Sequence, residues 1–193
     1  MIIQATPYGT KKEEPFAFTY SGDFTDERVD GVGDVTLNTS GTLTVLSGKA
    51  TVSVYILGAG GGGSLYMAGS WSVHVGTGGS GGYQTVTVTL EPGTYEIVIG
   101  TGGTSTKSGY VPPQAGSGGN TTAFGFTSTG GTGGRGSTTP SRGEGGAPNG
   151  NAGVAVTNLG MGGSAAGGSP NGGGVTFSTA DSGGNGLVRI TFS

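Results

Sequence analysis

Alternation of apolar and polar side chains predicts short β-strands at several places along the chain. Threonine and β-branched residues dominate these runs, as is typical of strands. No stretch has a convincing helical period, and the nearest candidate, residues 24–29, is a single turn. The predicted strands cover residues 42–45, 51–57, 83–90, 94–99 and 187–192.

Two of these runs are separated by the turn sequence Glu91-Pro92-Gly93, which predicts a hairpin. Because successive side chains of a strand point to opposite faces, each run has one apolar face. In the last run, either Leu187 or Val188 begins the inward face, depending on register. The apolar faces of the hairpin are Val86, Val88 and Leu90 on one strand, and Tyr95, Ile97 and Ile99 on the other.

Glycine is concentrated in the later part of the chain. It supplies 47 of the 193 residues, about a quarter, against roughly 7% in average proteins. Residues 1–57 hold only 6 of these glycines and carry the whole formal charge of −3. Residues 58–193 hold the other 41 and carry equal numbers of charges of each sign. We therefore predict an acidic attachment region over residues 1–39 and a glycine-rich β domain over residues 40–193.

The glycine-rich part is predicted to be ordered through its backbone. Collagen is excluded because glycine does not recur at every third position, and the strand-like runs argue against a flexible linker. Extended polyproline II-like segments can pack side by side and hydrogen-bond to one another, since glycine lets their backbones approach closely. The predicted class is mostly β, a small antiparallel assembly combined with packed glycine segments and little or no helix. Interior positions are predicted at Gly61, Gly79, Gly119, Gly131 and Gly163.

The residues that could carry chemistry are few. The chain has no cysteine, and one histidine excludes any site that needs two. Residues 58–63 contain the spacing G-x-G-x-x-G but no helix-forming stretch follows, so a dinucleotide site is rejected. The acidic residues between positions 23 and 34 lack the EF-hand spacing, and whether they bind a cation is left open. We expect no enzyme, no cofactor and no metal site.

Partners are limited by the same composition. No apolar run approaches the length of a membrane helix, and the charge balance is not that of a basic nucleic-acid binder. We therefore expect neither membrane insertion nor nucleic-acid binding.

One motif carries a family resemblance. Residues 119–125 read Gly119-Asn120-Thr121-Thr122-Ala123-Phe124-Gly125, and a glycine pair follows at residues 130 and 131. With this motif the chain resembles bacteriophage glycine-rich tail proteins, which show G-x-T-[TS]-x-F-G followed by a glycine run. The resemblance extends over about residues 40–192, through the order of strands and glycine runs.

The resemblance implies a virion protein exposed at a tail-fibre tip, similar in style to the distal adhesins of T-even-like phages. It implies polyglycine helices packed as a sandwich, with loops between them that contact a host-surface glycan or protein. Residues 1–39 would bind other virion proteins, and the chain would form a homo-oligomer or join an oligomeric fibre. The alternative is a capsid head-fibre or decoration protein on the virion surface with no receptor.

Loop aromatics are the candidates for receptor contact, because aromatic side chains stack on sugars and anchor interfaces. For Trp71, burial in the core remains an equal alternative to binding. The candidate residues are Tyr66, Met67, Trp71, His74 and Tyr110.

Overall fold

A computed structural model describes residues 15–68, 72–108, 114–135, 147, 149 and 181–193. These residues form thirteen strands and no helix, so the predicted class, mostly β with little or no helix, is confirmed. The strands are β1 Ala17–Tyr20, β2 Phe24–Asp26, β3 Gly33–Leu37, β4 Gly41–Ser47, β5 Ala50–Leu57, β6 Ser64–Ala68, β7 Ser72–Gly76, β8 Tyr83–Leu90, β9 Gly93–Val98, β10 Thr106–Ser108, β11 Thr121–Ala123, β12 Phe126–Ser128 and β13 Leu187–Phe192.

Two five-stranded antiparallel sheets form the base of the protein, which we call the sandwich. One sheet has the order β1-β4-β9-β11-β12 and the other the order β2-β3-β13-β5-β8. The strand β13 lies between β3 and β5, so the last residues described are held in the middle of a sheet. A separate three-stranded sheet has the order β10-β6-β7.

The sandwich core is aliphatic and follows the predicted alternation. Leu90 and Ile97 are buried, and the half-buried Val86, Val88 and Tyr95 pack against the same cluster, which confirms the two predicted inward faces. The predicted hairpin is wrong, because β8 pairs with β5 whereas β9 pairs with β4 and β11, so the turn after Leu90 connects the two sheets. On the last strand the inward residue is Val188 rather than Leu187. The earlier residues also supply core side chains, since Val35 and Leu37 of β3 are 0% exposed. The core residues of β4, β5 and β13 are Leu43, Val45, Val52, Val54, Ile56, Val188, Ile190 and Phe192.

The short segment considered as a helical turn has a different structure. Phe24–Asp26 is a strand that pairs with β3, and the chain then turns at Asp30 and Gly31. Both turn residues have positive φ, 52° and 84°, as a tight hairpin turn requires. Glycine tolerates this region freely, and aspartate is among the few other residues that do.

Residues 58–63 form the centre of a bundle of extended glycine segments, and we call them the central segment. Each of their backbone N–H groups donates to another segment, at 2.8–3.1 Å. Gly58 and Gly61 donate to residues 82 and 79, while the N–H groups of residues 59 and 62 reach residues 119 and 116. Residues 60 and 63 donate to residues 184 and 181. The partners repeat at every third residue, as a helix with three residues per turn requires.

Two further segments donate to the central segment. The N–H groups of residues 103 and 106 bond to the carbonyls of residues 60 and 63, and those of residues 131 and 134 bond to residues 59 and 62. In both pairs the residue numbers rise together, so these segments run parallel to the central one. The three segments that accept its N–H groups run antiparallel. The predicted packing of glycine segments through their backbones is thus present.

The outer segments share a sequence pattern of two glycines and one other residue. In residues 100–104 the other residues are Thr101 and Thr104, and in residues 116–120 they are Ser117 and Asn120. All four are exposed, because the three-residue period directs them away from the central segment. The glycines between them approach neighbouring backbone.

The interior glycines leave no room for a side chain. A Cβ added at Gly61 would overlap with the carbonyl of Thr132, and one at Gly131 would overlap with the carbonyl of Gly79. A Cβ at Gly119 would lie 3.0 Å from the backbone nitrogen of Thr101. Gly79 itself is buried, so four of the predicted interior positions lie in the bundle. The fifth, Gly163, lies outside the described residues.

We expect Gly103→Val to destabilise the protein far more than Thr101→Val. An added side chain at Gly103 would overlap with the carbonyl of Gly116, whereas Thr101 is exposed in the same segment. Overpacking of this kind costs about 1–3 kcal/mol or more, against about 0.5 kcal/mol for a surface change. Chemical denaturation of the two variants measures the difference. Equal unfolding free energies would contradict the backbone-packed bundle.

Candidate binding end of the glycine bundle

The three-stranded sheet caps the end of the bundle that lies away from the sandwich, and we call it the tip sheet. The central segment runs directly into β6, and residues 100–105 run into β10. The strand β7 returns towards the sandwich through residues 77–82, which lead into β8. Each tip strand is therefore the continuation of a glycine segment whose position is fixed by backbone hydrogen bonds.

The register of the tip sheet pairs two of the candidate residues and places a third on the same strand. Tyr66 on β6 is the partner of His74 on β7, and of Ser108 on the other side. Met67 is the partner of Val73. Trp71 and Tyr110 lie outside the described residues.

Two strands lie side by side at this end, so Tyr66 and Met67, expected in a loop, lie on a strand instead. The strands β6 and β10 are parallel, with Lys107 in register with Leu65. Parallel strands in register leave the sheet at the same edge. Loops held on a rigid scaffold are the usual carriers of binding residues.

Further described residues lie at the same end of the bundle. Gln114 and Arg135 form a β-bridge, and the Gln114 Nε2 group donates to the carbonyl of Gly133 at 2.7 Å. The N–H of Gly63 donates to the carbonyl of Asp181 at 3.0 Å. Gln114, Arg135 and Asp181 therefore also lie at the tip end.

Charged side chains are exposed at this end of the bundle. Lys107, Arg135 and Asp181 are exposed there, so both signs of charge are present. Within the described ranges, no three His, Cys, Asp or Glu residues lie together as a metal site requires. The same residues contain no helix long and apolar enough to cross a membrane.

The opposite end of the sandwich holds a cavity of about 700 Å³. It lies where β5 begins and β13 ends, next to the first described residue, Pro15. Pro15 therefore lies at the end remote from the tip sheet. The cavity is lined by Pro15, Phe16, Arg28, Gly31, Lys49, Ala50, Thr51, Phe192 and Ser193.

Arg28 organises the wall of this cavity. Its guanidinium carbon lies 4.8 Å from the ring centroids of both Phe18 and Phe192, and the two rings are nearly parallel. This is the geometry of a cation–π contact on two sides. The Arg28 Nη2 group also donates to Asp26 Oδ2 at 2.7 Å, and the Arg28 Nε group donates to Oδ1 at 2.8 Å.

The sequence did not lead us to predict the contacts of Arg28 with Phe18 and Phe192. The signal that could have found them is the spacing of Phe16, Phe18 and Tyr20, two residues apart, which places three aromatic rings on one face of a strand. The hydrogen bond from Arg28 lowers the pKa of the Asp26 carboxyl. The same bond raises the pKa of Arg28, which stays charged throughout the ordinary range.

We expect the Arg28–Asp26 pair to stabilise the fold at neutral pH and to stop doing so in acid. The pKa of Asp26 is lower in the folded chain than in the unfolded chain, so its contribution is present above the unfolded pKa of about 3.9 and is lost as the pH falls through the folded value. At pH 7, Asp26→Asn should cost at most about 1 kcal/mol, since the pair is partly exposed.

Urea unfolding of both proteins at several pH values measures this difference. In an Arg28→Met background the effect of Asp26→Asn should largely vanish, because the partner is gone. A difference that stayed constant from pH 7 to pH 3 would contradict the coupling.

Comparison with known proteins identifies the chain only by its glycine-rich part. No curated protein matches it. The family model described as glycine-rich domain matches residues 36–193, which include β4 to β13, the bundle and the tip sheet. The chain therefore belongs to the glycine-rich domain family.

Proposed function

We propose that this protein is a non-enzymatic binding module exposed on a bacteriophage virion, as part of a tail-fibre tip, where it contacts the host surface. The observation that carries the proposal is the separation of two ends. The tip sheet, with Tyr66 on β6 and His74 on β7, lies at one end, while Pro15, the first described residue, lies beside the cavity at the far end. A module of this kind needs one end to attach and another to bind.

The bundle supports this role because it holds the tip sheet rigidly without a thick apolar core. The position of the tip sheet depends on backbone hydrogen bonds of 2.8–3.1 Å around the central segment. Binding residues that are held by a rigid bundle lose little further conformational freedom on binding, and this favours affinity. The resemblance to phage glycine-rich tail proteins supports the same assignment, with a host glycan or surface protein as the ligand.

The aromatic and histidine positions of the tip sheet are the proposed contacts. Tyr66 and His74 are register partners on β6 and β7, and each can offer a ring together with a hydrogen-bonding group. Met67, Trp71 and Tyr110 complete the proposed set. The attachment role falls to residues 1–39, with other virion proteins as partners.

We expect the isolated protein to bind host cells and Tyr66→Ala to weaken that binding. Removing an interface aromatic costs about 1–2 kcal/mol or more at a hot spot, which is a loss of about 5-fold to 30-fold in affinity. His74→Ala should act in the same direction. Binding of fluorescently labelled protein to a panel of bacterial strains measures the effect.

Phe126→Ala is the matched control. Phe126 is an exposed aromatic, at 39% exposure, but it lies on an edge strand of the sandwich. It should leave cell binding unchanged. If the isolated protein binds no strain and the Tyr66 and His74 variants instead block incorporation into particles, the chain is a head-fibre or decoration protein.

A further inference from the structure

The sheet β2-β3-β13-β5-β8 has an outer face that points away from the sandwich core. Successive side chains of a strand point to opposite faces, so this face is formed by the residues that alternate with core positions such as Val54 and Val188. Apart from Asp34 and Arg189, the outward positions of its four main strands hold threonine, serine and tyrosine. We call these positions the hydroxyl face, and they lie within residues 34–36, 51–55, 83–89 and 189–191.

Three side chains of the hydroxyl face form one cluster. The rings of Tyr55 and Tyr83 have their centroids 5.9 Å apart, at an interplanar angle of 34°. Arg189 is the register partner of Tyr55, and its guanidinium carbon lies 5.5 Å from the centroid of that ring. Tyr83 is 41% exposed and the Arg189 side chain is 49% exposed, so a ligand can reach both. The cluster therefore offers an aromatic surface for stacking, with a hydrogen-bond donor beside it.

Beside this cluster, Arg189 and Asp34 hold a donor and an acceptor a short distance apart. Arg189 Nε lies 3.9 Å from Asp34 Oδ2, which is too far for a direct hydrogen bond. The Thr191 hydroxyl donates to Asp34 Oδ1 at 2.7 Å and so holds the carboxylate in place. A ligand hydroxyl both donates and accepts, so one hydroxyl group can accept from Nε and donate to Oδ2. Because the two charges are opposite, the pair favours neither a cationic nor an anionic ligand.

The rest of the hydroxyl face has the same chemistry. Its threonines on β5 and β8 are exposed, and the Thr51 and Thr89 hydroxyl oxygens lie 3.2 Å apart. Aliphatic side chains, which form the core of a protein–protein interface, are absent from the outward positions that define this face. The ligand class that combines apolar C–H faces with many neutral hydroxyl groups is the saccharides.

We propose that the hydroxyl face binds neutral oligosaccharides. The Tyr83 ring stacks on the C–H face of one sugar ring, while Arg189 and Asp34 together hold a hydroxyl group of the ligand. The threonine hydroxyls bind further sugar hydroxyls along the sheet. This site lies on the side of the sandwich, so it is additional to the contacts proposed for the tip sheet.

Titration of the isotope-labelled full chain with defined saccharides tests the proposal by nuclear magnetic resonance. The neutral probes are maltotetraose and mannotetraose, and tetragalacturonic acid is the acidic comparison. We expect at least one neutral probe to shift the amide signals of Tyr83, Thr85 and Arg189 saturably, and more tightly than the acidic one. Because the probes are free saccharides, the result depends on neither the tip sheet nor a host strain. No saturable shift with either neutral probe, or tighter binding of the acidic probe, would overturn the proposal.

Variants locate the site on the hydroxyl face. Tyr83→Ala should weaken binding of the neutral probe about 5-fold or more, because the stacking ring is lost. Arg189→Met keeps much of the aliphatic length but removes the donor, and should also weaken binding. Phe126→Ala is the matched control, since Phe126 is a similarly exposed aromatic, at 39%, on the other sheet.

Thermal melts of the three variants show whether each is folded, and Tyr83→Leu replaces Tyr83→Ala if that variant does not fold. Undiminished binding by the Tyr83 and Arg189 variants would overturn the proposal. An equal loss in the Phe126 variant would overturn it as well.

Discussion

The structure depends on providing hydrogen-bond partners for the backbone groups of six consecutive residues that have almost no side chains. Residues 58–63 are all buried, and each of their N–H groups donates to a different residue of a neighbouring segment. A buried N–H without a partner would cost about 1–3 kcal/mol, so the set is costly to leave unpaired. Because the partners come from residues 79 to 184, satisfying this one segment brings together parts of the chain that are distant in sequence.

The bundle and the sandwich are continuous, although their interiors are different. The strand β5 and its two ladder neighbours, β8 and β13, continue into the central segment and two of its antiparallel neighbours. The sandwich buries aliphatic side chains such as Ile56 and Val188, whereas the bundle buries backbone. The order of strands in the sheet is thus carried into the bundle. A glycine stands at each junction between one of these strands and its bundle segment. Because it has no side chain, the neighbouring backbones can approach as closely as the bundle requires.

This continuity gives the molecule two distinct ends. The tip sheet receives its three strands directly from glycine segments, so a displacement of the bundle would move Tyr66 and His74 with it. At the other end, Arg28 lies against Phe18 and Phe192 and is paired with Asp26, next to the cavity lined by Pro15. A module that binds at one end and attaches at the other, with a rigid bundle between the two ends, suits the proposed position on the outside of a particle.

The amino-acid sequence by itself determined the class of the fold and the inward faces of its strands. Local alternation is enough to place Leu90 and Ile97 in a core, and glycine runs are enough to predict backbone packing. The repeat of two glycines and an outward residue is also written in the sequence. Which segment is central was decided only by tertiary structure, because hydrogen-bond partners such as Gly60 and Gly184 are not local. The same holds for the contact of Arg28 with the Phe192 ring and for the register that pairs Tyr66 with His74, since no local pattern in the sequence specifies either pairing.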